Sequence, residues 1–274
     1  MKIGLIGCGK VGTTLFYLLK KKNSVVGAYD INNKNRKRAL RLLNIEKNPS
    51  LKELCTKSEA LFFATPDDQI MAAYKKARPY ITGEKYVYHF SGLLPSNIFP
   101  KSKGMHRGSI HPFATFPEII IPPRRKYILF IEGDKRALST AKRIFKKEYF
   151  TLKTLNRKEK EIYHLTGVFS SNFVVGLMSA IQELAQQLNW GRKEMETCIL
   201  PIIEETLRNI KHHGIQNALS GPLERGDIKI VETHLKTLRK NKNLKNIYKA
   251  LSLNVLKNVV KGKKKQRIER ILRR

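Results

Sequence analysis

The chain opens Met1-Lys2-Ile3-Gly4-Leu5-Ile6-Gly7-Cys8-Gly9-Lys10-Val11-Gly12, and this stretch decides how the rest is read. Residues 1–6 form a short apolar strand that runs straight into a G-x-G-x-x-G pattern. Val11, Leu15, Leu18 and Leu19 then recur at helical spacing, and a second strand over residues 24–29 ends on Asp30. Strand, tight turn, helix, strand and terminal acid together are the setting in which this glycine pattern binds a dinucleotide. Gly7 permits the turn, Gly9 lets a pyrophosphate approach the backbone, and Gly12 lets the helix pack closely on the strand. Cys8, Lys10 and Val11 complete the loop, and the helix N-terminus offers unpaired N–H groups to the phosphates. Asp30 is placed to accept hydrogen bonds from the ribose hydroxyls, and its charge repels a 2′-phosphate, which favours NAD over NADP. Asn32, Lys34 and Arg36 follow closely and offer that phosphate the opposite.

The 274 residues suggest about two domains and enough material for a core, with 41% hydrophobic content. No run reaches the ~18 apolar residues that a membrane span requires. The first strand leads directly into the glycine turn, which leaves no signal peptide. Cys8, Cys55 and Cys198 have neither metal-ligand nor disulfide-framework spacing, so no metal is expected and a reducing, cytoplasmic compartment fits best. The net charge of +32 attracts anions, and basic clusters occur at 20–22, 34–41, 124–126 and 257–274. No nucleic-acid-binding motif accompanies them. Solvated helix faces account for the lysines, and the expected partner is a small anionic substrate rather than nucleic acid or a membrane.

A basic helix is expected over 34–43 and an apolar strand over 60–64. That strand ends in Thr65-Pro66-Asp67-Asp68, where Thr65 or Asp67 can cap a helix through 71–77. Ligands in open α/β sheets sit beyond the carboxyl ends of the strands, which puts Thr65, Pro66 and Asp67 beside the dinucleotide. The strand over 86–90 leads to Ser91, whose hydroxyl there could reach a substrate carbonyl or the nicotinamide amide. A further short strand, 109–113, carries His111, which either faces the cleft or is a hydrogen-bonded structural histidine. Strands over 126–131 and 150–155 flank a helix over 137–147. The alternating pattern stops there, and residues 1–156 are assigned to a dinucleotide-binding domain.

From residue 158 the period changes. Ile162, Leu165, Phe169, Phe173, Leu177, Ile181, Leu184 and Leu188 form one stripe at helical spacing, a helix of ~45 Å at ~1.5 Å per residue. The stripe is core or dimer interface. Lys160, His164 and Asn172 lie along it, and polar groups in so apolar a helix are either buried with partners or face a cleft. Residues 157–274 are read as an all-α substrate and dimerisation domain. A second helical stretch, 192–213, is interrupted by Pro201 and ended by Gly214; the adjacent His212 and His213 lack the geometry of a metal pair. In the loop over 220–227, Arg225 beside a helix N-terminus reads as a carboxylate clamp or as a brace, and Asp227 as an N-cap. Ile268, Ile271 and Leu272 could dock a short, frayed final helix.

Taken in order, G-x-G-x-x-G, A-T-P-D-D, H-F-S-G, S-I-H-P-F, Y-H-L…S-S-N and S-G-P-L-E-R-G-D…H-L resemble Rossmann-like proteins carrying the domain of unknown function 2520. The resemblance runs from Met1 to about Leu253. It implies an α/β fold: an N-terminal Rossmann dinucleotide-binding domain followed by a helical domain like that of 6-phosphogluconate dehydrogenase. The group is similar to ketopantoate reductases, β-hydroxyacid dehydrogenases and pyrroline-5-carboxylate reductase. By resemblance the dinucleotide lies on Gly7, Gly9, Gly12 and the loop of Thr65 to Asp67. The substrate lies between Ser91, His111, the helix bearing His164, Ser171 and Asn172, and the Arg225 loop. The ketopantoate and β-hydroxyacid enzymes place a lysine four residues before an asparagine as general acid; Val168 stands there in this chain. His164 is the best replacement, with Lys160 behind it.

The sequence therefore points to an NAD(P)H-dependent reductase of a small 2-oxo acid, ketopantoate foremost, with NAD favoured. His164 would donate the proton, since an imidazole with its ordinary pKa of ~6.5 suits acid chemistry near neutrality. Ser91 and Asn172 would hold the carbonyl, and Arg225 the carboxylate. A dinucleotide sensor without turnover, and a polyanion-binding protein, are the readings from other classes.

Overall fold

The computed structural model describes residues 1–46, 48–121, 126–260 and 264–273. Its contacts divide the chain into two units, Met1–Phe173 and Val174–Arg274.

The first unit is built on one sheet. Strands β1 (Lys2–Ile6), β2 (Ser24–Tyr29), β3 (Ala60–Phe63), β4 (Lys85–His89), β5 (Met105–Pro112), β6 (Tyr127–Gly133) and β7 (Phe150–Thr154) lie in the order β2-β1-β3-β4-β5-β6-β7. All neighbours are parallel except β5 and β6. Chain order reverses between β1 and β3, which places a crevice beyond their carboxyl ends, where such sheets bind ligands. The helices of this unit are α1 (Lys10–Leu19), α2 (Asn33–Leu42), α3 (Leu51–Lys57), α4 (Ile70–Ala77), α5 (Lys135–Ile144) and α6 (Lys160–Ser170).

Covered faces explain why β1 and β3 read as unbroken apolar runs rather than alternating ones. Successive side chains point to opposite faces, so Phe62 and Phe63 enter different cores. Phe62 packs with Phe16, Tyr88, Phe90 and Phe145, its ring centroid 4.9 Å from that of Tyr88. Phe63 packs with Tyr74 and Phe99 on the other side. The helix α3 was not anticipated. Its signal lay in Ser50 and Glu53, which form a reciprocal capping box.

The long stripe from residue 158 is not one helix. It breaks at Ser171 (φ −130°, ψ −70°) into α6 and α7 (Asn172–Gln186). The run Arg157–Gln186 also meets the length and hydropathy expected of a membrane-crossing helix, which corrects the expectation that no stretch would. Its first half is tied to the sheet instead: Lys160 is buried against Ser91 and Ser109, and Tyr163 packs on Phe130. Thus α6 belongs with the first unit, and the division falls at 173/174 rather than 156/157.

The second unit continues α7 with α8 (Arg192–Glu194), a π-helical turn at Met195–Ile199, α9 (Leu200–His213), α10 (Pro222–Arg225), α11 (Ile228–Thr237), α12 (Lys242–Asn258) and α13 (Lys264–Arg273). The π turn precedes Pro201, which has no N–H to donate, so the helical path is relieved rather than ended there. Val231, Leu256, Ile268 and Leu272 form its fully buried core. Ile268 and Leu272 thereby dock the final helix, more firmly than a frayed end. The basic residues Arg124 and Arg125, and the segment 261–263, lie outside the described residues.

Candidate active site

The glycine loop has the geometry its spacing implied. Gly7 adopts φ +94°, and a Cβ there would meet the Ala64–Thr65 backbone at 2.7 Å. At Gly12 a Cβ would meet the Ala64 Cβ at 2.8 Å, because α1 lies close on the strand layer. At Gly9 it would meet nothing within 4 Å. Close packing at Gly7 and Gly12 with open space at Gly9 leaves room for a ligand against the backbone. Gly9 is also the N-cap of α1 and has no side chain to satisfy the first-turn N–H groups.

Three cavities, all lined by the first unit, meet along the carboxyl edge. The first, about 430 Å³, includes Gly7, Gly9, Tyr29, Asp30, Asn32 and Lys76 in its lining. The second, about 160 Å³, includes Val11, Thr65, Asp67, Ser91 and His111. The third, about 360 Å³, includes His111, Tyr163, His164, Val168, Ser171 and Asn172. Thr65 lines the first two, and His111 the last two. The buried hydroxyl of Thr65 has no hydrogen-bond partner among the described residues, as expected of a group that serves a ligand. Pro66 lines the first cavity as well.

Several side chains have a different task from the one their type suggested. One oxygen of Asp30 accepts the Cys8 N–H at 2.6 Å and the other the Asn32 N–H at 2.8 Å. The acid therefore holds the glycine loop and the start of α2 in register while lining the first cavity. Cys8 is buried, which with Asp30 nearby pushes its thiol up to about 12; it contributes packing. Lys10 is exposed on the first turn of α1. Neither Thr65 nor Asp67 caps α4: a 3-10 turn at Asp67–Gln69 comes first, without a side-chain cap. The Asp67 carboxylate instead accepts the Ser91 hydroxyl at 2.6 Å. That hydroxyl also accepts the N–H groups of Leu93 and Leu94. Its one proton is thus committed to Asp67, and Ser91 organises the loop rather than offering a proton to a ligand.

Below the loop lies the buried ammonium of Lys160, which donates to Ser109 Oγ at 2.6 Å and to the Ser91 carbonyl at 3.3 Å. Burial, opposed by Glu132 and Asp67, pushes it down to about 8. His89 accepts the Ser91 N–H through Nδ1, and Nε2 donates to the Pro95 carbonyl. Burial and then Lys160 push this imidazole down to about 3. His111 meets the Tyr163 hydroxyl through Nδ1 at 2.6 Å; burial, Lys160 and His164 push it down to about 4. Gly92 is what lets the histidines converge: a Cβ on it would stand 2.9 Å from His111 Nε2 and 3.0 Å from His164 Cδ2.

Ser91, His111, His164, Ser171 and Asn172 are therefore gathered at one edge. Arg225 lies in the second unit, where Nε donates to the Asp227 carboxylate at 2.9 Å. Asp227 occupies the N-cap position of α11 but gives its carboxylate to that pair and makes no side-chain cap. Sequence reasoning missed Tyr163, Gly92 and Ser109. All three stand within quoted motifs, Gly92 in H-F-S-G, Ser109 in S-I-H-P-F and Tyr163 in Y-H-L, beside residues that were chosen. Among the described residues no cluster of His, Cys, Asp and Glu could hold a metal.

Residues 1–112 match the model of a Rossmann-like domain, and residues 127–255 that of the domain of unknown function 2520. No curated protein matches the sequence. Among solved structures, a Bacteroides fragilis protein provisionally assigned as an NADP oxidoreductase is 23% identical, with TM-score 0.74 over 93% of this chain and 97% of that one. A Thermotoga maritima protein is 24% identical, with TM-score 0.66 over 99% of this chain and all of the other. The pyrroline carboxylate reductase of Plasmodium falciparum, solved with NADP bound, is 13% identical, with TM-score 0.60 over 99% of this chain and 98% of that one. At these identities the likeness shows a shared fold.

Proposed function

From a chain that joins a Rossmann-like domain to a domain of unknown function 2520, we propose a nicotinamide-dinucleotide-dependent reductase of a small carbonyl compound, with a 2-oxo acid such as ketopantoate as the leading substrate. The observation that carries this reading is the run of three cavities from Gly9 past the orphaned Thr65 hydroxyl to the two histidines. The pattern fits a dinucleotide: open backbone at Gly9, an uncapped helix N-terminus, and a buried unpartnered hydroxyl on a residue lining the same cavity.

When bound, the reduced nicotinamide supplies hydride. The chain's own residues do the rest. The first-turn N–H groups of α1 and the open edge at Gly9 receive the pyrophosphate. Asp30, held by two backbone N–H groups, fixes a negative charge in the cavity that would take the adenosine, which favours NAD; Lys76 in the same lining is the opposing influence. Thr65 steadies the nicotinamide half. Asn172 orients the substrate, and His164, as imidazolium, donates the proton that completes reduction to the alcohol. The second unit exposes Leu177 and Leu184 on α7, Leu188 in the turn after it, and Ile202 and Leu207 on α9. That apolar face is assigned to a second copy of the chain, giving a homodimer.

The experiment is oxidation of NADH and NADPH, followed at the reduced-nicotinamide absorbance band, with ketopantoate, other 2-oxo acids and cyclic imines. Nicotinamide fluorescence in the same samples reports binding. Turnover of a 2-oxo acid supports the reading, and turnover of imines alone moves the substrate class to C=N bonds. Tight binding without turnover of anything in the panel favours a sensor, and absence of binding removes the reading altogether.

A further inference from the structure

We propose that His111 is a catalytic hydrogen-bond donor, presenting Nε2–H as a neutral imidazole to the carbonyl oxygen being reduced, with Tyr163 setting its tautomer and Lys160 as a positioning residue behind it. The proposal rests on the reductase reading above. Three features of the geometry lead to it. His111 lines both the cavity beside the glycine loop and the cleft holding His164 and Asn172, so it stands where hydride donor and acceptor would meet. A Cβ on Gly92 would stand 2.9 Å from its Nε2, so the missing side chain there leaves the ring edge open.

The third feature is the partner on the other ring nitrogen. Tyr163 is a buried residue, and its hydroxyl lies 2.6 Å from Nδ1. A buried phenol must spend its proton on an acceptor, and Nδ1 is the acceptor in place. The ring proton is then on Nε2, facing the cleft. Burial raises the Tyr163 phenol well above its ordinary value, so it stays protonated to hold this arrangement.

Charge around the ring favours the neutral form. Lys160 and His164 on α6 both oppose an added proton on His111. Lys160 is fixed by Ser109 Oγ, two residues before His111 on β5, and by the Ser91 carbonyl. The acids of this neighbourhood, Asp67 and Glu132, act on Lys160; they are engaged by Ser91, and by Ser96 with Arg157. His89 on β4 spends both ring nitrogens on Ser91 and Pro95.

A bound reduced nicotinamide would supply the hydride to the carbonyl carbon and be left oxidised, with the C=O π pair moving onto oxygen. His111 stabilises that charge without releasing its proton. His164 would give a proton to that oxygen and become neutral imidazole.

The test is nitrogen NMR of the histidine-labelled protein, titrated from about pH 3 to about pH 8. The expected His111 signals are an unprotonated Nδ1 and a protonated Nε2 with no titration between about pH 5 and about pH 8. Lys160→Met should raise the midpoint of His111, and Lys160→Arg should keep it low. Tyr163→Phe should let the proton distribute between the two nitrogens. A His111 that carries its proton on Nδ1, or is imidazolium near neutrality, overturns the proposal. So does a midpoint unmoved by Lys160→Met. None of these readings needs cofactor or substrate, so their failure is separable from failure of the reductase reading, which shows as absent dinucleotide binding. Once turnover is established, His111→Phe should lower kcat by ~10²-fold or more with cofactor affinity retained; an unchanged kcat also overturns it.

Discussion

Two glycines three residues apart do opposite work. The space at Gly12 is filled by Ala64 and Leu5, whereas the space at Gly9 is empty. Gly12→Ala should therefore destabilise the fold by about 1–3 kcal/mol, the usual cost of overpacking, read as a fall in thermal midpoint. Gly9→Ala should leave that midpoint nearly unchanged and weaken dinucleotide binding at least ~10-fold, because its methyl group occupies the pyrophosphate's approach. Equal effects of the two on stability would contradict this division. His164→Gln should lower kcat by ~10²-fold with dinucleotide affinity retained; an almost normal kcat would remove His164 as proton donor. The glycines were legible because backbone conformation is a local property. Ser91 was harder to read, since its hydroxyl is claimed by Asp67 from another strand's end.

At the scale of elements, the strands of the first half were legible and the helical half less so. A strand ending at Asp30, or one ending at Thr65, announces itself by an apolar run stopped by turn residues. The break between α6 and α7 leaves no such mark, because the apolar spacing continues through Ser171. What separates the helices is that α6 has a sheet to pack against, with Tyr163 4.6 Å from Phe130, ring centroid to centroid. Helices α7 and α9 and the turn after α7 leave Leu177, Leu184, Leu188, Ile202 and Leu207 exposed within the chain. With that face covered by a second copy, light scattering after size-exclusion chromatography should give twice the 31.6 kDa chain mass. Leu184→Asp with Leu188→Asp should shift it to monomer. A wild-type monomer at micromolar concentration would end the dimer assignment.

Across the whole molecule, two buried imidazoles link stability to pH. His111 and His89 are held down to about 4 and about 3, so both remain neutral in the fold where the unfolded chain, with its imidazoles at 6.5, takes up protons. Stability is thus fully present above pH 6.5 and is lost as pH falls toward those folded values, at ~1.4 kcal/mol per pH unit for each imidazole. The thermal midpoint should fall steadily on acidification through this window, and His111→Gln should make the slope shallower. A midpoint flat down to pH 4 would contradict the neutral assignment. The net charge of +32 adds self-repulsion, which salt should relieve.

The sequence by itself determined the Rossmann-like half: where the chain turns, which glycine leaves space, and which strand ends face the crevice. These follow from φ, Cβ and side-chain period, all properties of a few neighbouring residues. Tertiary structure alone decided what the polar side chains do there. Lys160 was read behind His164 from helical spacing, but that spacing could not show that its ammonium lies under the loop of Ser91. Tyr163 and His111 are separated by 52 residues and meet at 2.6 Å. A hydrogen bond between elements depends on how helix and sheet pack, and the periodicity of either element alone carries no record of its partner.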